Sequence, residues 1–278
     1  SPGGPINKFE KKNPKRFINC GVAEQSMISV AAGLAMKGFK PFCYTIATFA
    51  LYRPFEFVRV DLCYQNIPVV IVGMGSGGLY TNLGSTHQSI EDVSIAASIP
   101  NMQILCPCDP EELEEAMDWC IKKNKGPVYL KIGKAGEPNY TKNIRQKFKF
   151  GKLRYIHNGN EIAIITYGNA MKIANEVYNE LKKFKSVSLI NCHTLKPLDY
   201  KGLKNAMKKY KKLIIIEEHV KHGGLSMMIK AFSNDINNKN KIISYTLKDE
   251  FKHFYGSHKE FLIQHNISSG KILKDILK

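Results

Sequence analysis

Short β-rich runs alternate with amphipathic stretches along the whole chain, and this alternation confines it to βαβ units with mostly parallel sheets. In the first half the spacing predicts strands over Arg16–Cys20, Pro41–Thr45, Val69–Gly73, Gln103–Cys106 and Val128–Ile132. It predicts helices over Ala23–Met36, Phe49–Tyr64, Ser89–Ala97 and Pro110–Lys123. Asp109 followed by Pro110 and Glu111 reads as an N-cap, a proline at the first helical position and an acidic first turn. The pattern lapses after Ala135 into Gly-Glu-Pro-Asn-Tyr and a basic stretch, then resumes. The second run predicts strands over Ile162–Thr166, Val187–Asn191, Leu213–Glu217 and Ile242–Leu247. Its helices are predicted over Ala170–Leu181, Tyr200–Tyr210 and Leu225–Phe232, with a last one from Ser269. The fold class is therefore α/β, two doubly wound domains with mostly parallel sheets: residues 1–135, a linker at 136–152, and residues 153–278.

Composition removes several function classes. At 278 residues and 44% hydrophobic, the chain is too apolar for disorder. Seven cysteines are odd in number, sit in apolar segments and lack CxxC or Cys/His ligand spacing, so they read as reduced core residues of a cytoplasmic protein, with no metal site. No apolar run is long enough for a membrane span, and the start lacks the pattern of a signal peptide. The net charge of +17 invites a nucleic-acid reading, but residues 1–140 carry 14 basic and 13 acidic side chains while 141–278 carry 27 and 11. Only five of the 41 basic residues are arginine, the side chain best suited to base and phosphate forks. Scattered lysine reads as a solvated face, and no nucleic acid is expected.

Generic motifs are missing: there is no P-loop, no GxGxxG, no GxSxG and no HExxH. Three segments carry chemistry instead. Gly21-Val-Ala-Glu-Gln25 puts Glu24 at the start of an apolar, small-residue helix, where the helix dipole alone would favour an acid. Thr45-Ile-Ala-Thr-Phe49 with Tyr52 places aromatics after a strand, where core packing is the plain explanation. Gly84-Ser-Thr-His-Gln-Ser-Ile-Glu91 puts His87 beside helix-capping residues, a common structural setting.

Taken in order, on successive strand-to-helix turns of one parallel sheet, these three segments resemble the pyrimidine-binding domain of transketolases. The resemblance continues through Ile99-Pro-Asn-Met102, Pro107-Cys-Asp-Pro110 and Pro127-Val-Tyr-Leu-Lys-Ile. In the second half Thr194-Leu-Lys-Pro-Leu-Asp199, Glu217-Glu-His-Val, Gly223-Gly-Leu225 and Tyr255-Gly-Ser-His258 resemble the transketolase-type C-terminal domain. It covers the chain from Lys15 onward and is nearest to the C-terminal subunit of a transketolase split into two chains. This implies thiamine diphosphate as cofactor, with Glu24 bonding a pyrimidine nitrogen and so promoting loss of the thiazolium proton. Ile46, Phe49 and Tyr52 would pack around the pyrimidine. His87 would serve the thiazolium and the ketose hydroxyls as a catalytic proton carrier. Lys134 stands where such enzymes often have an arginine for substrate phosphate. A two-carbon ketol unit would pass from a ketose to an aldose.

Departures from the family refine these expectations. The Gly-Asp-Gly…Asn motif that holds Mg²⁺ and the diphosphate is absent. A partner subunit carrying the N-terminal half is therefore expected, with assembly to α2β2. The family's first strand and Asp-Leu pair also have no counterpart. Gly75 and Leu83 replace a histidine and an acidic residue that reads the donor hydroxyl, so a modified, deoxygenated or nucleotide-linked sugar is one expectation for the donor. The rival readings are a 1-deoxyxylulose-5-phosphate synthase-like or 2-oxoacid dehydrogenase beta-like subunit and, outside enzymes, a non-catalytic scaffold or basic nucleic-acid binder.

Overall fold

The computed structural model describes residues 5–277, in which the alternation becomes two five-stranded sheets. The strands are β1 (Phe42–Ile46), β2 (Val70–Met74), β3 (Gln103–Leu105), β4 (Val128–Lys131), β5 (Arg154–His157), β6 (Ile162–Thr166), β7 (Val187–Asn191), β8 (Thr194–Lys196), β9 (Lys212–Val220) and β10 (Lys241–Leu247). The first sheet runs β1-β2-β4-β3-β8 and the second β10-β9-β6-β7-β5. All pairings are parallel except β3 with β8 and β5 with β7.

Both faces of each sheet are covered, which explains why the central strands are continuously apolar. In β2, Ile71 packs toward the core that holds Ile28 and Val93, while Val70 and Val72 pack with Ala116 and Cys120 of the helix Pro110–Lys122. In β6, Ala163 and Ile165 join the first of these cores, whereas Ile162 and Ile164 pack with Ala174 and Val177 of the helix Met171–Leu181. One core runs through both halves: Ile104 and Cys106 share it with Leu195, Leu213 and Ile215.

The halves are fastened by polar contacts as well. Strand β8, from the second half in sequence, forms the antiparallel edge of the first sheet, and Lys196 Nζ donates to the carbonyls of Ala97 and Ile99 at 2.8 and 2.6 Å. Those carbonyls close the helix Asp92–Ser98, where a cation meets the negative end of the dipole. Arg154 Nη1 reaches Glu112 at 3.2 Å and Glu115 at 2.7 Å, and Asn191 Nδ2 donates to Glu112 at 2.5 Å. Asp109 caps the helix from Pro110 as expected, and its second oxygen accepts from the amides of Tyr140 and Thr141, tying down the segment between β4 and β5.

Several predicted elements are corrected. Arg16–Cys20 is not a strand: Pro14–Arg16 is a 3₁₀ turn, Asn19 folds its side chain back onto the Gly21 amide, and exposed Ile18 has no strand beside it. The expected helix Phe49–Tyr64 is three pieces, Ala47–Leu51, Phe55–Phe57 and the π-helical Val58–Tyr64. Pro54 interrupts it, since it lacks the N–H that an unbroken helix would need. The helix expected from Ser89 begins at Asp92 because Ser89 instead bridges to Gly77. Strands β5 and β8 and the helices Pro5–Lys12 and His258–Gln264 were not anticipated. Among the described residues no helix is long and apolar enough to cross a membrane.

Candidate active site

The candidate residues converge at the C-terminal edge of the adjacent strands β1, β2 and β4, where open parallel sheets leave a crevice for ligands. Glu24 opens the helix Glu24–Met36 and is buried. Ile46 ends β1 and caps the next helix, whose first turn carries Thr48 and Phe49; Tyr52 closes it. After β2 the chain turns through Gly75, at φ +67°, with the Tyr80 ring against it, and reaches the 3₁₀ turn Ser85–His87. Lys134 follows β4 by three residues and is exposed.

The phenyl ring of Phe49 meets His87 edge to face, with centroids 5.1 Å apart, and Tyr80 flanks His87 at 6.5 Å. The Thr86 hydroxyl lies 2.9 Å from His87 Nδ1. Lys134 Nζ sits 4.7 Å from the Tyr80 ring centroid, which links it to the same cluster. Arg53 bonds both carboxylate oxygens of Glu24, at 3.3 and 3.2 Å, and lies over Phe49 with Cζ 3.9 Å from the ring centroid. Glu24, Phe49, Tyr52, His87 and Lys134 therefore share one corner, and Ile46 borders it from the end of β1.

Beside this cluster is a cavity of about 240 Å³ whose wall includes Thr48, Phe49, Tyr52, Gln88 and Glu91. Four polar atoms of its wall are unspent: Thr48 Oγ1, Tyr52 OH and both amide atoms of Gln88 are buried without a hydrogen-bond partner among the described residues. Buried polar atoms are ordinarily paired, because an unmade bond costs about 1–3 kcal/mol. Four such atoms beside an aromatic face suit a flat, hydrogen-bonding heterocycle, and the residues present thus fit an aminopyrimidine. Burial, with the Glu91 and Asp92 carboxylates nearby, pushes the Tyr52 phenol up and keeps it a donor. Burial likewise raises Glu91 above the usual carboxyl range. Among the described residues no cluster of His, Cys, Asp or Glu is arranged to hold a metal ion.

Arg53, Thr48, Gln88 and Tyr80 escaped the sequence reading. Arg53 had a signal, being one of five arginines in a lysine-rich chain and adjoining Tyr52. Gln88 directly follows His87, but a glutamine carries no mark of whether its amide is buried.

The second half holds the loop that precedes His87. The Gly78 amide donates to Glu218 Oε1 at 2.6 Å, and His258 Nε2 lies 2.8 Å from that same oxygen. A Cβ on Gly77, at φ +68°, would collide with the Glu218 carboxylate. Ser85 Oγ donates to the carbonyl of Lys252 at 2.9 Å. Burial disfavours charge on His258, yet its ion pair with Glu218 raises the imidazole above its ordinary value.

Residues 4–136 match the family description "Transketolase, pyrimidine binding domain", and residues 151–266 match "Transketolase, C-terminal domain". One subunit of the apulose-4-phosphate transketolase of Actinobacillus succinogenes is 34% identical over 225 residues, which cover 81% of this chain and 72% of that one. The chain belongs to the transketolase family. A split gene transketolase, solved as an inactive beta4 tetramer, superposes on this family member with a TM-score of 0.87 at 26% identity, covering 99% of this chain and 88% of that one. The 1-deoxy-D-xylulose-5-phosphate synthase of Clostridium acetobutylicum is 35% identical over 253 residues, 90% of this transketolase-family chain but 40% of the synthase. The chain thus spans about two fifths of the length of the synthases it matches.

Proposed function

We propose that this chain supplies the pyrimidine-binding half of a thiamine diphosphate-dependent enzyme that transfers a two-carbon ketol unit from a phosphorylated or otherwise modified ketose to an aldose. The observation that carries this reading is the set of unpartnered buried atoms on Thr48, Tyr52 and Gln88, around a cavity walled by Phe49 and close to Glu24. When bound, thiamine diphosphate supplies a thiazolium carbon able to take up the ketol unit and stabilise its negative charge. Phe49 offers a ring face for stacking, with Ile46 and Tyr52 beside it. Glu24 shares a hydrogen bond with a ring nitrogen, and Gln88 and Thr48 orient the heterocycle through their unspent donors and acceptors. His87, whose Nδ1 is taken by Thr86, keeps Nε2 for proton exchange with a sugar hydroxyl. Lys134 holds a point positive charge at the rim for a substrate phosphate.

The diphosphate and Mg²⁺ ligands are assigned to a partner subunit, with an α2β2 assembly in the cytoplasm. A relative that is itself one subunit of a transketolase, and a split gene neighbour whose beta4 tetramer is inactive, support this assignment. In the same reading residues 1–135 form the pyrimidine unit, 153–278 the C-terminal unit, and the lysine excess is a solvated face that takes no nucleic acid. The test is reconstitution with the subunit carrying the Gly-Asp-Gly…Asn half. Wild type then transfers carbon from a ketose donor and Glu24→Ala does not; equal turnover by both overturns the reading. A pyruvate-using synthase is the second reading, favoured by the 35% identity to the Clostridium acetobutylicum enzyme. Release of CO₂ from pyruvate, with ketoses left unconsumed, would select it.

A further inference from the structure

Arg53 occupies Glu24 and Phe49 at the same time. Nη1 donates to both carboxylate oxygens, and the guanidinium carbon lies 3.9 Å from the phenyl centroid. A guanidinium is flat, delocalised and edged with N–H donors. An aminopyrimidine offers the same two features, a π face and a nitrogen-bearing edge. No second planar group can lie against that face of Phe49 and bond Glu24 while the guanidinium does both.

The surroundings make Arg53 removable and leave its partners fixed. Its side chain is 42% exposed, whereas that of Glu24 is 8% exposed and anchored at a helix start. Arg53 lies in the turn Tyr52–Pro54 that separates two helical segments, so its side chain can swing outward without unwinding either. It also borders the cavity where the Thr48, Tyr52 and Gln88 polar atoms lack partners. Those atoms stay unpaired while Arg53 is in place, so only part of the pocket's hydrogen-bonding capacity is met by the chain itself.

We infer that Arg53 is a displaceable stand-in for the cofactor's pyrimidine. It is a positioning residue that holds Glu24 and Phe49 in their working arrangement in the chain without cofactor, and it gives way when the heterocycle arrives. This rests on the thiamine reading above. Binding must then break a half-exposed ion pair and a cation–π contact, each modest, which weakens intrinsic affinity by about three- to tenfold.

The experiment is calorimetric titration of the full chain with thiamine, whose pyrimidine needs only this site. Arg53→Ala and Arg53→Gln are expected to bind thiamine about three- to tenfold more tightly than wild type. Arg53→Lys falls between, because an ammonium can pair with Glu24 but has no flat face to lay on Phe49. Added salt tightens binding by wild type, where it screens the competing ion pair, and has no such effect on Arg53→Ala. Glu24→Gln removes thiamine binding in either background. Equal or weaker binding by Arg53→Ala and Arg53→Gln, with Glu24→Gln still abolishing it, overturns the stand-in and leaves the thiamine reading intact. Failure of every variant, wild type included, to bind thiamine overturns both.

Discussion

Gln88 separates stability from binding more directly than any other side chain in the cavity. It is 2% exposed, and neither amide atom has a partner among the described residues. Replacing it with leucine, of similar volume, removes two buried polar atoms that nothing satisfies. Gln88→Leu is therefore expected to stabilise the unliganded chain by about 1–2 kcal/mol, read as a raised urea midpoint, and to weaken thiamine binding. A lowered midpoint would mean that the amide is already satisfied. At this scale sequence reading went only partway. Glu24, Phe49 and His87 are of types whose chemistry is visible in isolation, and the structure gathers them. Arg53 and Gln88 matter through what they touch or fail to touch, and such contacts have no signature along the chain.

At the scale of elements, the loop Gly75–Gly84 is where a small change should have a large effect. Gly77 adopts φ +68°, and its missing Cβ leaves room for Glu218, so Gly77→Ala adds strain and a collision together. The variant is expected to lose about 2 kcal/mol or more of stability. It should also free the segment leading to His87, seen as faster amide exchange at Gly78 and Ser89, the residues tied to Glu218 and Gly77. Unchanged exchange at both amides would show that Glu218 does not hold the loop. Lys196→Met makes a second test, since it strips two helix-end carbonyls of their donor. About 1–2 kcal/mol should be lost in urea unfolding, and a neutral result would count against the contact. Elements with strong periodicity were legible: β6 and β7 fall on the predicted residues. Thr194–Lys196 is too short to show a period, and its strand character comes from lying beside β3. Arg16–Cys20 has the opposite history, with strand-like composition but no neighbour to pair with. Pro54 was visible in the sequence, yet the apolar residues on either side of it continue the pattern of one helix.

Across the whole molecule, pH acts where the halves meet. Burial pushes the Glu112 carboxyl up to about 7, against the pull of the Cys108 amide and Arg154. The folded chain then holds a proton that the unfolded chain has released, so stability falls as pH rises from about 4.5 to about 7. His193, buried nearby, is lowered to about 3, by burial first and then by Arg154. There the unfolded chain takes up the proton first, and stability falls as pH drops from 6.5 towards 3. The two slopes oppose each other between about 4.5 and 6.5. Glu112→Gln should remove the loss on the alkaline side, on the order of 2 kcal/mol between pH 5 and 8 in urea unfolding, and should retain the loss on the acid side. Because His193 offsets most of this slope in wild type, the contrast between the two proteins is the readout, and a Glu112→Gln variant with the same pH dependence as wild type would contradict the assignment to Glu112.

Strand β8 also bears on how such chains can be recombined. It lies within the second half in sequence but completes the first sheet, so joining the first half of this chain to the second half of a relative also imports a foreign edge for β3. A crossover placed after Lys196 keeps that edge native but divides the second sheet between two parents, separating β5, β6 and β7 from β9 and β10. No single junction leaves both sheets of one ancestry, and the two halves must be inherited, or redesigned, as a matched pair.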